Sequence, residues 1–187
     1  MIGAVRTTLD DLSTTARVAS AFAAALRSVG RRRVVIDLRG PLGSGKTAFV
    51  RALATALGLP RGARVTSPTF TLLRTLPLES GPGGAWTLHH LDAYRLGGVD
   101  DLEAIGFLDL LQDEALVAVE WGDRVIDALG EDHLVLELCP AGALGASAPD
   151  PEIGDPRELD VTAFGPESTR LLAAWEQQLA GSPGSPA

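Results

Sequence analysis

The eight residues Gly40-Pro41-Leu42-Gly43-Ser44-Gly45-Lys46-Thr47 constrain this chain more than any other stretch, because of what stands on either side of them. Before them runs Val34-Val35-Ile36-Asp37-Leu38, a short β-branched run of the kind buried in a parallel sheet. After them Thr47 to Leu57 reads as a helix, stopped by Gly58 and Pro60. Strand, glycine-rich loop and helix in this order fit G-x-x-x-x-G-K-[ST], the P-loop, in which backbone N–H groups and a helix N-terminus cradle phosphate. Glycine at 43 and 45 lets the backbone take positive φ and come close to a ligand. Lys46 is also the single lysine, every other basic residue among sixteen being arginine. The wide guanidinium fork does not replace a compact ammonium in a tight anion nest, so lysine is retained here.

This loop predicts a nucleotide triphosphate site. Pro41 to Thr47, with Leu42, Gly43, Ser44 and Gly45 in contact with phosphate, supply the cradle; Lys46 bridges the β- and γ-phosphates, and Thr47 binds Mg²⁺. The metal also needs an acid, and an apolar strand ending in a carboxylate beside the loop strand is how such folds provide one. Glu120, after Leu116-Val117-Ala118-Val119, has the better strand, and Asp92, after Trp86 to Leu91, is its rival. Trp121 stacks on a base or fills the core, and composition favours the core. The chain has no asparagine and no second lysine, so an Asn-Lys-x-Asp guanine loop cannot exist, which turns the reading towards ATP.

The rest of the chain predicts one α/β domain. Leu12 to Val29 has apolar residues at helical spacing, with Ser13 or Thr14 able to cap it. Thr69 to Leu76 and Ala85 to Leu91 read as an antiparallel hairpin around Glu79 to Gly84, and Asp100 to Leu111 as a helix. His133 to Leu138 is a strand, Glu158 to Phe164 an edge strand and Glu167 to Leu179 a terminal helix. Between them Ala141 to Pro156 is a flexible connection, and Gly181 to Ala187 a disordered tail, leaving residues 1–180 as the domain. A length of 187 residues suits a single core. A net charge of −8 argues against broad attraction to nucleic acid or anionic membrane, so any RNA contact needs a local patch or a partner protein. One cysteine, no signal-peptide core and no run near the roughly 18 apolar residues of a membrane span point to the cytoplasm.

Four stretches together, GPLGSGKT, Thr66-Ser67-Pro68-Thr69-Phe70-Thr71-Leu72, His90-Leu91-Asp92-Ala93-Tyr94-Arg95-Leu96 and Val119-Glu120-Trp121-Gly122, resemble the TsaE (YjeE) family in order and spacing. The resemblance runs from the first helix to about Leu138 and departs in residues 140–156 and the tail. It implies a three-layer P-loop sheet with helices on both faces. It further implies a weak ATPase that supports TsaB-like and TsaD-like proteins making threonylcarbamoyladenosine in tRNA. The transfer itself belongs to those partners, and tRNA is met only through the complex. On this resemblance Thr47 and Glu120 bind Mg²⁺, while Asp92 and Thr69 stand near the γ-phosphate, Asp92 to position or activate water and Thr69 in a switch-like loop. Trp121 and the Arg157 region are placed near the adenine, and His90, Tyr94 and Arg95 read as structural or partner-contacting. The rivals are a nonhydrolysing ATP-dependent switch or scaffold and a P-loop small-molecule kinase. A kinase lid would carry arginine, and the candidate lid at Ala141 to Pro156 has no arginine or lysine.

Overall fold

An apolar run covered on both faces belongs in the middle of a sheet. The computed structural model, which describes residues 4–68, 71–141 and 156–181, sets two such runs side by side. In chain order the strands are β1 (Ala4–Leu9), β2 (Val34–Arg39), β3 (Leu73–Gly81), β4 (Gly84–Asp92), β5 (Leu116–Glu120), β6 (His133–Pro140) and β7 (Arg157–Phe164). The helices are α1 (Leu12–Val29), α2 (Lys46–Ala56), α3 (Val99–Ala104), α4 (Phe107–Leu110) and α5 (Pro166–Ala180). One seven-stranded sheet runs in the order β1-β7-β6-β2-β5-β4-β3. Its centre, β6-β2-β5-β4, is parallel, and the outer pairings β3 with β4, β7 with β6 and β1 with β7 are antiparallel.

Alternation across the pleat splits the core in two. Val34, Ile36 and Leu38 face α1, α2 and α5, whereas Val35, Val117 and Val119 face α3, α4 and a 3-10 segment at Gly122–Ala128. The result is the three-layer α/β arrangement that the family resemblance implies. Within the larger core Trp175 of α5 is fully buried, stacks on Phe22 at 4.3 Å between ring centroids and donates from Nε1 to the Val18 carbonyl at 3.2 Å. Among the described residues no helix is long and apolar enough to cross a membrane.

Several expectations change on contact with the structure. Glu158 to Phe164 is not an edge strand, because β1 pairs with its outer side; β1 escaped notice since, of residues 5–9 in it, only Val5 and Leu9 are buried apolar side chains. The single helix expected over Asp100 to Leu111 is two short ones, broken where Gly106 turns left-handed at φ 70°. The cap of α1 is Asp11 rather than Ser13 or Thr14, its carboxylate accepting from the Thr14 N–H at 2.6 Å. That bond also holds the Asp11 pKa below the usual carboxylate value. Arg31, Arg32 and Arg33 bond to Asp132, Glu114 and Gln112 of the same chain. Asp132 also accepts from the Glu167 and Ser168 N–H groups, so it ties the start of α5 to the loop before β6. The connection expected over Ala141 to Pro156 lies, apart from its two end residues, outside the described residues, as does the tail beyond Gly181.

If α5 is integral to the domain, Trp175→Ala should cost about 3–5 kcal/mol, the usual range for removing a buried aromatic. Urea unfolding of the two proteins measures this, and a loss below about 1 kcal/mol would mean that α5 packs only loosely.

Candidate nucleotide site

Parallel pairing brings the carboxyl ends of β2, β5 and β4 to one edge of the sheet, and both carboxylates of the site stand at that edge. Leu38 is the register partner of Glu120, and Glu120 is the register partner of Asp92. After β2 the chain turns through the glycine loop, with φ of 80° at Gly43 and 102° at Gly45, and enters α2 at Lys46. Those left-handed values are the reason that these two positions are glycine. The first turn of α2 therefore starts beside the carboxylates, with its free N–H groups turned to the same space.

That space is a cavity of about 350 Å³, lined by residues 42–48 of the loop together with Arg51, Ser67, Asp92, Glu120 and Trp121. Lys46 is nearly buried, and its Nζ donates to the Gly40 carbonyl at 2.7 Å and the Pro41 carbonyl at 3.0 Å. An ammonium has three donors, so two hold the lysine in place and the third remains for a ligand. Burial pushes the Lys46 pKa down, against the pull of the Glu120, Asp92 and Asp123 carboxylates. The Trp121 ring lies over Nζ at 4.1 Å, a cation–π contact that shields the ammonium from one side. Thr47 Oγ1 donates to Glu120 Oε1 at 2.7 Å, and Asp92 Oδ1 accepts from the Tyr94 N–H at 3.0 Å. Thr47, Glu120 and Asp92 thus present hard oxygens to one cavity, the donor set that suits a small divalent cation held chiefly by its other ligands. Among the described residues no group of three or more His, Cys, Asp or Glu could hold a metal ion by itself.

Of the residues singled out in the sequence, Leu42, Gly43, Ser44, Gly45, Lys46, Thr47, Asp92, Glu120 and Trp121 share this cavity. Thr69 lies outside the described residues, although Ser67, from the same motif, lines the cavity. Arg157 does not join them. It lines a second cavity of about 340 Å³ on the β6 side of β2, walled by Leu9, Leu12, Leu138 and Ala48, and its Nη2 donates to the Gly43 carbonyl at 3.4 Å. Trp121 and Arg157 therefore flank the loop from opposite sides. The sequence reading missed Arg51, which follows Thr47 by four residues and so faces the cavity one turn along α2. His90, read from the sequence as structural or partner-contacting, is fully buried and bonded to Glu120.

Beneath the site the turn after β5 is held from below. Asp37 is fully buried; its Oδ2 accepts from Arg39 at 2.7 Å, its Oδ1 has no hydrogen-bond partner, and burial raises its pKa. A Cβ on Gly122 would collide with that carboxylate, so only glycine lets the turn pack down. Trp121, just before it, takes the left-handed conformation at φ 61°, which a bulky residue adopts only where its surroundings impose it.

The family model for the threonylcarbamoyl adenosine biosynthesis protein TsaE matches residues 9–143. The tRNA threonylcarbamoyladenosine biosynthesis protein TsaE of Streptomyces coelicolor is 42% identical over 122 residues, 60% of this chain and 78% of the relative. The protein of that name from Bacillus subtilis is 31% identical over 131 residues, 70% of each chain. The crystal structure of YdiB from Bacillus subtilis superposes with a TM-score of 0.68 over 95% of this chain and 97% of its own, at 24% identity, a likeness of fold.

Gly122→Ala should cost roughly 1–3 kcal/mol, as overpacking does. The Asp37→Ser variant opens room beneath the turn, so the double variant should recover part of that loss, a coupling above about 0.5 kcal/mol in a thermal-unfolding cycle. Strictly additive losses would show that the carboxylate is not what Gly122 packs against.

Proposed function

This chain belongs to the TsaE family, and on that premise we propose that it is a weak Mg-ATPase whose turnover serves TsaB-like and TsaD-like partners forming threonylcarbamoyladenosine in tRNA. One observation carries the reading. Lys46, Thr47, Glu120 and Asp92, from α2, β5 and β4, converge on a single cavity at a helix N-terminus.

ATP is the substrate. Its phosphates meet the loop N–H groups and the one free N–H of Lys46, while the adenine fits the apolar cavity across the loop, between Leu9, Leu12 and Leu138 and beside Arg157. One feature supports adenine over guanine: the absence of any asparagine or second lysine from the sequence. Mg²⁺, when bound, neutralises charge on the β- and γ-phosphates. Thr47 and Glu120 are the residues that would hold it, since the threonine hydroxyl donates its hydrogen bond to Glu120 and keeps its lone pairs for an ion. Asp92, fixed by the Tyr94 N–H, orients water for attack on the γ-phosphorus; the bond from that phosphorus to the bridging oxygen breaks, and ADP and phosphate leave. Thr69 senses the γ-phosphate from the segment that continues Ser67. Trp121 guards Lys46 rather than binding the base.

The threonylcarbamoyl transfer itself is assigned to the partners, as the family resemblance implies. A net charge of −8 favours contact with tRNA through the complex, in the cytoplasm, over direct binding.

Calorimetry should show Mg-ATP and Mg-ADP binding to the wild type and none to Lys46→Arg, whose fork does not fit the nest. With TsaB-like and TsaD-like partners present, Glu120→Ala and Asp92→Ala should lower stimulated hydrolysis by about 10²-fold or more while leaving the fold intact by circular dichroism. Wild-type rates in both would remove the acids from the mechanism. Binding without any turnover, alone or with partners, would favour the nonhydrolysing switch, and phosphoryl transfer to a small molecule would favour a kinase.

A further inference from the structure

Glu120 is held from a side that the phosphate loop does not use. His90, on β4, has no solvent exposure, and its Nε2 lies 2.9 Å from Glu120 Oε1. Thr47 Oγ1 donates to that same oxygen at 2.7 Å. A carboxylate oxygen only accepts, so Nε2 carries the hydrogen and donates. The other ring nitrogen, Nδ1, is buried without a hydrogen-bond partner. Leaving a buried polar atom unpaired costs stability, which an apolar side chain at this point in a sheet would avoid. The bond to Glu120 is what such an imidazole gains in return.

The sheet is built to allow the reach. His90 is the register partner of Ala118, and Glu120 stands two residues further along β5 on the same face. The alanine methyl leaves room for the imidazole to cross diagonally over the neighbouring strand, a distance that a long or aromatic side chain spans. Two donors, one from β4 and one from α2, therefore act on Oε1 and fix the plane of the carboxylate. Oε2 stands outside this pair of bonds, and the Thr47 lone pairs stay free because its proton is committed to Oε1.

We propose that His90 is a positioning residue that locks the Glu120 carboxylate, so that Glu120 and Thr47 present their oxygens to the metal of the bound nucleotide. The inference rests on the ATPase reading of this site. It adds a group that touches neither nucleotide nor metal and acts through Glu120 alone. Partners of this kind are what orient ligands elsewhere in metal sites, and their loss weakens the metal more than the rest of the complex.

The test uses Mn²⁺ as a spin-active substitute for Mg²⁺, with ATP and the full chain. Glutamine can reach Oε1 with an N–H donor and asparagine cannot. His90→Asn should therefore weaken Mn²⁺ binding to the ATP complex by about tenfold or more, as loss of an outer ligand partner does, and His90→Gln by about threefold or less. ATP affinity in EDTA should stay within about twofold in both, because the loop and Lys46 are untouched. Wild-type Mn²⁺ affinity in His90→Asn, or equal losses with and without metal, would overturn the proposal. A second measurement needs no His90 variant. The His90 Nε2–H proton should give a protected NMR resonance that shifts in Glu120→Gln and again when metal joins the nucleotide complex, and a resonance indifferent to both also overturns it. Failure of the underlying reading looks different: no Mn-ATP binding by wild type, or unchanged Mn²⁺ affinity in Glu120→Gln, removes the site itself.

Discussion

The parallel pairing of β2 with β5, and of β5 with β4, is the constraint from which the site follows. It places Leu38, Glu120 and Asp92 in one row, so the loop after Leu38 and the two carboxylates end at the same height on the sheet edge. Parallel ladders of this kind require cover on both faces, and the two cores supply it from opposite sides. A one-residue slip between β2 and β5 would turn Glu120 to the wrong face and bring Val119 to Thr47. The apolar alternation that buries Ile36, Leu38 and Ala118 together is therefore also what aims the acid.

The same edge concentrates polar groups that a core would ordinarily exclude. Lys46, Asp92, Glu120 and His90 are all nearly or fully buried. Charges placed there cost several kcal/mol each in desolvation unless partners compensate. The compensation is partial and specific: loop carbonyls for Lys46, a backbone N–H for Asp92, a hydroxyl and an imidazole for Glu120. Lys46 is pushed towards its neutral form by burial.

Trp121 links this interior to the surface. Its ring covers Lys46, Tyr94 contacts it at 5.2 Å, and the Arg124 guanidinium lies 5.2 Å from the Tyr94 ring. Tyr94 is half exposed, so the row of contacts runs from the ammonium to solvent. The strained turn that carries Trp121 is kept in place by Gly122 packing on Asp37, two residues whose relation the chain order conceals.

Local patterns sufficed where the physics is local. The β-branched run, the glycine loop and the alanine-rich helix at 34–57 specified a strand, a left-handed glycine turn and α2, because each depends on neighbours in the chain. The lone lysine and the missing asparagine carry the proposal of ATP for the same reason, since side-chain chemistry needs no fold to be read. Partnership across the sheet was not legible. β1 has too few apolar residues to announce itself, and its pairing with β7 comes from hydrogen bonds between segments some 150 residues apart. Whether Trp121 and Arg157 share a flank of the loop, and whether His90 faces solvent or Glu120, depends on strand order and register. The sequence alone thus determined the chemistry the chain can offer to a phosphate. The tertiary structure decided which acid meets which donor, because strand order and register arise from burial summed over the whole sheet and from no single stretch of it.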